Sequence, residues 1–265
     1  MTVRTRVWSR WELDPRLPEA ATELRMTEFP AAGEESEWSV LLLPGGAYRM
    51  TAPREGAPVA AAFAAAGIHA WVLDYSVAPD RWPRPFLEAG AALARIRRGR
   101  GGRVAVCGFS AGGHLAGCLA NLWGSPVLEE RLGLRPAEAR PDAVILGYPV
   151  VTAGAFGAAD CFRTLTGADD MAEIPPELSL ENSVTAGNPP AFLWCTGTDD
   201  RVPAENTLLY AAALRRAGVP FELHLYPDGP HAMALADRRT QGRPEQQDPH
   251  VATWFPLCLE WLKGL

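Results

Sequence analysis

The chain has 265 residues, 48% of them hydrophobic and 21% charged, which is enough apolar material for a sizeable core and excludes an intrinsically disordered chain. The formal net charge is −6, so the surface repels phosphate backbones and nucleic acid is not an expected partner. No stretch reaches the roughly 18 unbroken apolar residues of a membrane helix, and the opening MTVRTRVWSRWELDPRL holds no apolar run of the kind a secretory leader needs.

The first 37 residues are irregular and read as edge strands or a wrap. From there short apolar runs alternate with Ala-rich helical stretches. Strands are expected over 38–43, 68–73, 103–107, 143–146, 191–195 and 221–225, and helices over 55–66, 86–98, 111–122, 204–217 and 252–262. Several of the strands are apolar almost throughout, the mark of strands covered on both faces. Gly67 and Gly218 fall where helix stops belong. Strand–helix–strand alternation implies an α/β fold, with a mostly parallel sheet and helices on both faces. Residues 151–188 break the rhythm: a long connection in a compact domain is usually functional, so a small cap inserted into one domain spanning 1–265 is expected.

The five cysteines (Cys107, Cys118, Cys161, Cys195, Cys258) are odd in number, widely spaced and free of any CxxC pair. Neither a disulfide framework nor a zinc site is expected, and the reading is a cytoplasmic protein with free thiols and no metal. The oligomeric state is not fixed by the sequence.

Four motifs carry chemistry. Gly108-Phe109-Ser110-Ala111-Gly112 follows the strand at 103–107 and opens a helix, the strand–turn–helix setting of a nucleophile elbow. The small residues flanking Ser110 admit a tight turn that lifts its Oγ beyond the sheet, and the helix start behind it leaves N–H groups free. A dinucleotide loop would need G-x-G-x-x-G spacing in the first strand–helix unit, and that spacing is absent here. Upstream, Leu43-Pro44-Gly45-Gly46-Ala47-Tyr48 ends a strand with a Gly-rich curl whose backbone donors suit an oxyanion; the N–H groups of Gly46, Ala47 and Ala111 are the expected donors. Thr198-Asp199-Asp200-Arg201-Val202-Pro203 follows the strand at 191–195 and offers a carboxylate; the D-x-x-V-P spacing favours Asp199 over Asp200, which suits the turn or the next helix cap. Asp228-Gly229-Pro230-His231 follows the last strand and offers a base. His69 and His224 lie within strands, His114 supports the nucleophile helix, and His250 belongs to a polar surface stretch. Tyr48, Trp82, Phe156 and Phe162 are candidates to line an apolar pocket, with core packing the competing role for them.

The order Ser110…Asp199…His231 resembles that of the α/β-hydrolase superfamily. More narrowly, LLLPGGAYRMTAPREGAPVAAAFAAAGIHAWVLDYSVAP, VAVCGFSAGGHLAG, LENSVTAGNPPAFLWCTGTDDRVPAEN and FELHLYPDGPHAMALA are similar to small bacterial acetyl esterase and xylan esterase-like enzymes. The resemblance implies a serine carboxylesterase with a Ser110–His231–Asp199 triad and no cofactor, acting on short acyl esters, acetyl above all, of sugars or other small alcohols. Ala47 departs from the third glycine of the family's oxyanion loop, and Pro230 and Ala232 depart from the glycines around its base. The fold also hosts amide hydrolases and non-catalytic binders, which remain the alternatives.

Overall fold

The computed structural model describes residues 6–22 and 24–265. Its strands are β1 (Arg6–Ser9), β2 (Arg25–Phe29), β3 (Trp38–Leu43), β4 (His69–Asp74), β5 (Arg103–Phe109), β6 (Ala143–Gly147), β7 (Ala191–Thr196) and β8 (Phe221–Tyr226). Its helices are α1 (Arg10–Leu13), α2 (Ala57–Ala65), α3 (Arg84–Arg100), α4 (Ser110–Leu122), α5 (Pro126–Leu132), α6 (Pro136–Ala139), α7 (Ala159–Thr166), α8 (Glu205–Ala217) and α9 (Trp254–Gly264).

The strands form one sheet in the order β1-β2-β4-β3-β5-β6-β7-β8. From β4 to β8 all pairings are parallel; β1 and β2 join antiparallel at the edge, which is where the irregular N-terminal stretch places its edge strands. Alternate side chains feed two cores. Leu41, Val106, Leu146 and Leu193 pack under α3, α4 and α8, with Leu93, Leu115 and Leu214 opposite them. Val40, Cys107, Ile145 and Phe192 pack on the other face under α2 and α9, with Phe63, Trp254 and Cys258. Each large apolar side chain so buried contributes about 1.5–3 kcal/mol. This two-sided burial is why the central strands read as continuous apolar runs rather than as alternating ones.

Element ends shift from the sequence expectation for local reasons. β5 runs on to Phe109 because Gly108 and Phe109 still pair with Leu146 and Gly147 of β6. α2 starts at Ala57, since Pro53–Glu55 forms a separate 3-10 turn that Gly56 closes. The chain leaves β3 toward β4 on one side and β5 lies on the other, so the strand order reverses beside β3. Ligands of open α/β sheets bind outside the carboxyl ends of the strands at such a reversal.

Candidate active site

The carboxyl ends of β3 and β5 lie side by side, with Leu43 opposite Gly108. The turn after β5 is tight. A Cβ on Gly108 would come within 2.2 Å of the Gly112 carbonyl oxygen, and one on Gly112 within 2.0 Å of the Leu43 carbonyl oxygen. Ser110 sits at φ +52°, in the left-handed region a non-glycine residue occupies at a cost of about 1–3 kcal/mol. The other non-glycine residues at positive φ among those described are Ala47, Tyr48, Tyr148, Ala232, Ala234 and Ala236. They follow β3, β6 and β8, so backbone strain concentrates around one end of the sheet.

The structure brings Ser110, Asp199 and His231 together. His231 Nε2 lies 2.9 Å from Ser110 Oγ, and His231 Nδ1 lies 2.7 Å from Asp199 Oδ2. The Asp199 side chain is 1% exposed, and its Oδ1 accepts the N–H groups of Arg201 and Val202 at 2.9 Å each. Asp200 points away: its side chain is 65% exposed, with Arg201 as a 3.9 Å neighbour. Of the two aspartates, Asp199, which the spacing favours, is the one within hydrogen-bond reach of His231.

A cavity of about 670 Å³ opens over these groups, lined in part by Ser110, His231, Gly46 and Ala47. Ala111 is buried behind the elbow. Among the described residues the N–H groups of Gly46, Ala47 and Ala111 have no hydrogen-bond partner, so all three are unspent donors at this end of the sheet. Residues 151–188 form α7 and three 3-10 turns, and Ala158, Ala159, Asp160 and Cys161 supply one wall of the cavity. Arg49 of the loop after β3 pairs with Asp160 of α7 at 3.4 Å across the mouth.

Of the aromatic candidates for the pocket, none lines it, and two take the competing core role. Tyr48 and Phe162 are core residues, Phe156 is exposed at the surface, and Trp82 stacks on Phe86. The cavity wall is instead made largely of small residues and of Arg49, Arg54, Glu55, Asp160, Asp200 and Arg201. Charged positions give no periodic signal in a sequence, which hid them.

His114 is fully buried and bridges three elements. Its Nδ1 is 2.8 Å from the Tyr48 hydroxyl and its Nε2 2.7 Å from the Leu178 carbonyl oxygen, so the ring donates through Nε2 and accepts from Tyr48. Burial lowers its pKa to about 4, partly opposed by the Leu178 carbonyl, so it is neutral at pH 7. His69 faces Glu28 and Glu35, His224 bonds Glu222, and His250 lies against Tyr226; none lines the cavity.

Two residues at the site carried no motif. Glu55 is buried at the cavity wall, Tyr148 is buried behind it, and the two are bonded to each other. The signal available for Glu55 was a single acid inside an otherwise apolar, helix-forming stretch. Among the described residues there is no cluster of three or more His, Cys, Asp or Glu arranged to hold a metal ion, and no helix long and apolar enough to cross a membrane.

Comparison with known proteins shows the family of the chain. Residues 40–235 match the α/β-hydrolase fold family, and the chain belongs to it. It is 36% identical over 208 residues to endo-1,4-beta-xylanase B of Butyrivibrio fibrisolvens, covering 75% of this chain and 33% of that protein. It is 29% identical over 210 residues to an acetylxylan esterase of Xylanibacter ruminicola, covering 74% of this chain and 41% of that one. The chain therefore spans about a third to two fifths of the length of these curated relatives. Two solved structures match over nearly their whole length. An acetyl ester-xyloside bifunctional hydrolase from Caldicellulosiruptor lactoaceticus has a TM-score of 0.83 at 31% identity, covering 98% of this chain and 96% of the other. A carboxylesterase from Lactobacillus plantarum has a TM-score of 0.80 at 29% identity, covering 100% and 98%. The chain is an α/β hydrolase.

Proposed function

We propose that the chain is a serine carboxylesterase acting on short-chain acyl esters, acetyl esters above all, of sugars or other small alcohols. The observation that carries this reading is the unbroken hydrogen-bonded line from Asp199 through His231 to Ser110, opening into a cavity beside unspent backbone donors. In the proposed cycle His231 Nε2 takes the Ser110 proton as Oγ bonds to the ester carbonyl carbon. The carbonyl π electrons move to its oxygen, which the N–H groups of Gly46, Ala47 and Ala111 receive. Asp199 holds the proton on Nδ1 and stabilises the imidazolium. His231 then protonates the departing alcohol, leaving an acyl-Ser110. A water, deprotonated by the same imidazole, repeats the sequence and releases the acid.

The character of the cavity supports the substrate class. Among the described residues its wall carries Arg49, Arg54, Glu55, Asp160, Asp200 and Arg201 and no Phe, Tyr or Trp. Such a wall suits a hydroxylated alcohol, whose polar groups find partners there, better than a long alkyl chain. The relatives whose names state acetyl ester or acetylxylan substrates point the same way. We propose further that residues 151–188 act as a cap within a single hydrolase domain and set the alcohol specificity.

The test is hydrolysis of p-nitrophenyl esters of two to eight carbons by wild type and Ser110→Ala. The expected result is activity that falls with chain length and drops by about 10⁴–10⁶ in the variant. Near-normal turnover by Ser110→Ala ends the proposal. Preference for aminoacyl anilides over every ester moves it to an amide hydrolase.

A further inference from the structure

We propose that Glu55 is a positioning residue for this reaction, tying the loop that carries the oxyanion donors to the loop that carries the base; the proposal rests on the esterase reading above. Glu55 ends the 3-10 turn Pro53–Glu55 and is 1% exposed. Both of its oxygens are used. Oε2 accepts the Gly45 N–H at 2.7 Å, and Oε1 accepts the Tyr148 hydroxyl at 2.8 Å. The Tyr148 oxygen in turn accepts the Ala234 N–H at 3.0 Å. One carboxylate thereby joins the residue before Gly46 to the loop three residues past His231.

The surroundings make this link tight. A Cβ added to Gly45 would lie 2.7 Å from Glu55 Oε2 and 2.9 Å from Ser110 Cβ, so the backbone at Gly45 is wedged between the carboxylate and the nucleophile. The Tyr148 ring meets the His231 ring edge to face, with centroids 5.1 Å apart. Burial, reinforced by Glu55 itself, holds the Tyr148 hydroxyl well above the ordinary phenol range, so it stays protonated and donates. The neighbouring side chain acts in parallel: Arg54 donates to the Ala232 carbonyl and to Gln246, and Gln246 donates to the His231 carbonyl at 3.2 Å. A buried carboxylate is costly to keep in a core that a neutral residue would fill. A group required only for packing would not need two acceptor oxygens aimed at two catalytic loops.

The discriminating variant is Glu55→Gln, which keeps the volume but sets an NH₂ against one of the two donors. Tyr148→Phe keeps the ring on His231 and deletes the hydroxyl that bridges Glu55 and Ala234. Both are compared with wild type and Ser110→Ala for melting temperature, for kcat and KM on p-nitrophenyl acetate, and for the rate of Ser110 labelling by a fluorophosphonate. The expected result for Glu55→Gln is a protein that stays folded, with kcat and labelling rate both lower by about 10–100-fold and KM little changed, because loop displacements of an ångström or less cost this much. Tyr148→Phe is expected to lower kcat by about tenfold by the same route. A folded Glu55→Gln with wild-type kcat overturns the proposal, as does an activity loss that merely tracks the unfolded fraction. Should Glu55→Gln not fold, a wild-type kcat in Tyr148→Phe overturns it instead. Ser110→Ala as active as wild type, or wild type neither turning over nor labelled, has a different meaning: the esterase reading falls, and this inference with it.

Discussion

Replacing Asp199 by Asn separates the two adjacent aspartates by mechanism. Oδ1 of Asp199 accepts two backbone N–H groups, from Arg201 and Val202, while Oδ2 faces His231 Nδ1. An Asn in this place must keep its carbonyl oxygen toward the two N–H groups, because the flipped amide would set its NH₂ against both of them. Its NH₂ then faces Nδ1, which has to give up its hydrogen and accept. The ring proton moves to Nε2, where it points at Ser110 Oγ from 2.9 Å and leaves no lone pair to take the serine proton. The fold is retained and the tautomer is wrong. A loss of this kind is worth about 10⁴ in kcat, or about 5 kcal/mol of barrier. Asp200→Asn changes an exposed side chain of the cavity wall that makes no contact with His231, and its kcat on p-nitrophenyl acetate is expected within about twofold of wild type. Steady-state kinetics on p-nitrophenyl acetate, with melting curves to show both variants folded, read the difference. A folded Asp199→Asn that keeps a tenth of wild-type kcat, or an equal loss in both variants, refutes the reasoning.

Other expected outcomes follow from burial and from the pKa directions. His114 is held neutral with a pKa near 4, below its unfolded value, so the unfolded chain binds the extra proton; stability is present above about pH 6.5 and on the order of 3 kcal/mol is lost as pH falls through 4. Melting temperatures at pH 7 and pH 4.5 should fall less steeply in His114→Gln, and an unchanged slope contradicts the assignment. Glu88 works in the opposite direction: burial raises its pKa to about 7 despite hydrogen bonds from Ser76, so stability declines as pH rises from 4.5 through 7, and Glu88→Gln should flatten that limb of the curve. Gly112→Ala places a Cβ 2.0 Å from the Leu43 carbonyl and 2.4 Å from that of Pro44, both backbone atoms, and urea denaturation should register a loss of about 3 kcal/mol or more. All five thiols are buried, and burial raises the pKa of Cys161 to about 12 and of Cys195 to about 11; a thiol reagent at pH 8 should find them slow to react until denaturant is added.

The parts of the fold most legible in the sequence were those where one residue type admits one solution. The parallel centre of the sheet shows itself because Val40–Leu43 and Val104–Cys107 bury both faces and cannot alternate. Ser110 shows itself because Gly108 and Gly112 stand where any Cβ strikes backbone. Asp199 and His231 were legible through their positions after the last two strands rather than through their own chemistry. What stayed hidden depends on contacts far apart in the chain. Glu55 looks like an ordinary helix-start acid until Tyr148, 93 residues on, reaches it. Of the four aromatics considered for the pocket, core packing takes Tyr48 and Phe162, Trp82 stacks on Phe86, and Phe156 stays exposed. The cavity wall drew instead on Arg, Asp and Glu residues from separate segments of the chain.

The segment between β6 and β7 has a further meaning for how such a hydrolase can change. It contains neither Ser110, Asp199 nor His231, yet it builds one wall of the cavity. The Leu180 N–H donates to the Val151 carbonyl at 3.0 Å, so the excursion leaves and returns at one point. Its foot is pinned from α4, where His114 holds the Leu178 carbonyl and Asn121 the Leu180 carbonyl, and from α8, where Asn206 holds the N–H groups of Val151 and Thr152. A closed loop tolerates changes of length cheaply, with a doubling costing about 0.6 kcal/mol. Residues 153–177 are thus the part free to vary in length, provided that Phe162 and Leu165 still fill the core beneath them; under the proposed esterase reading, such variation would retune the alcohol preference while Ser110, Asp199 and His231 stay untouched.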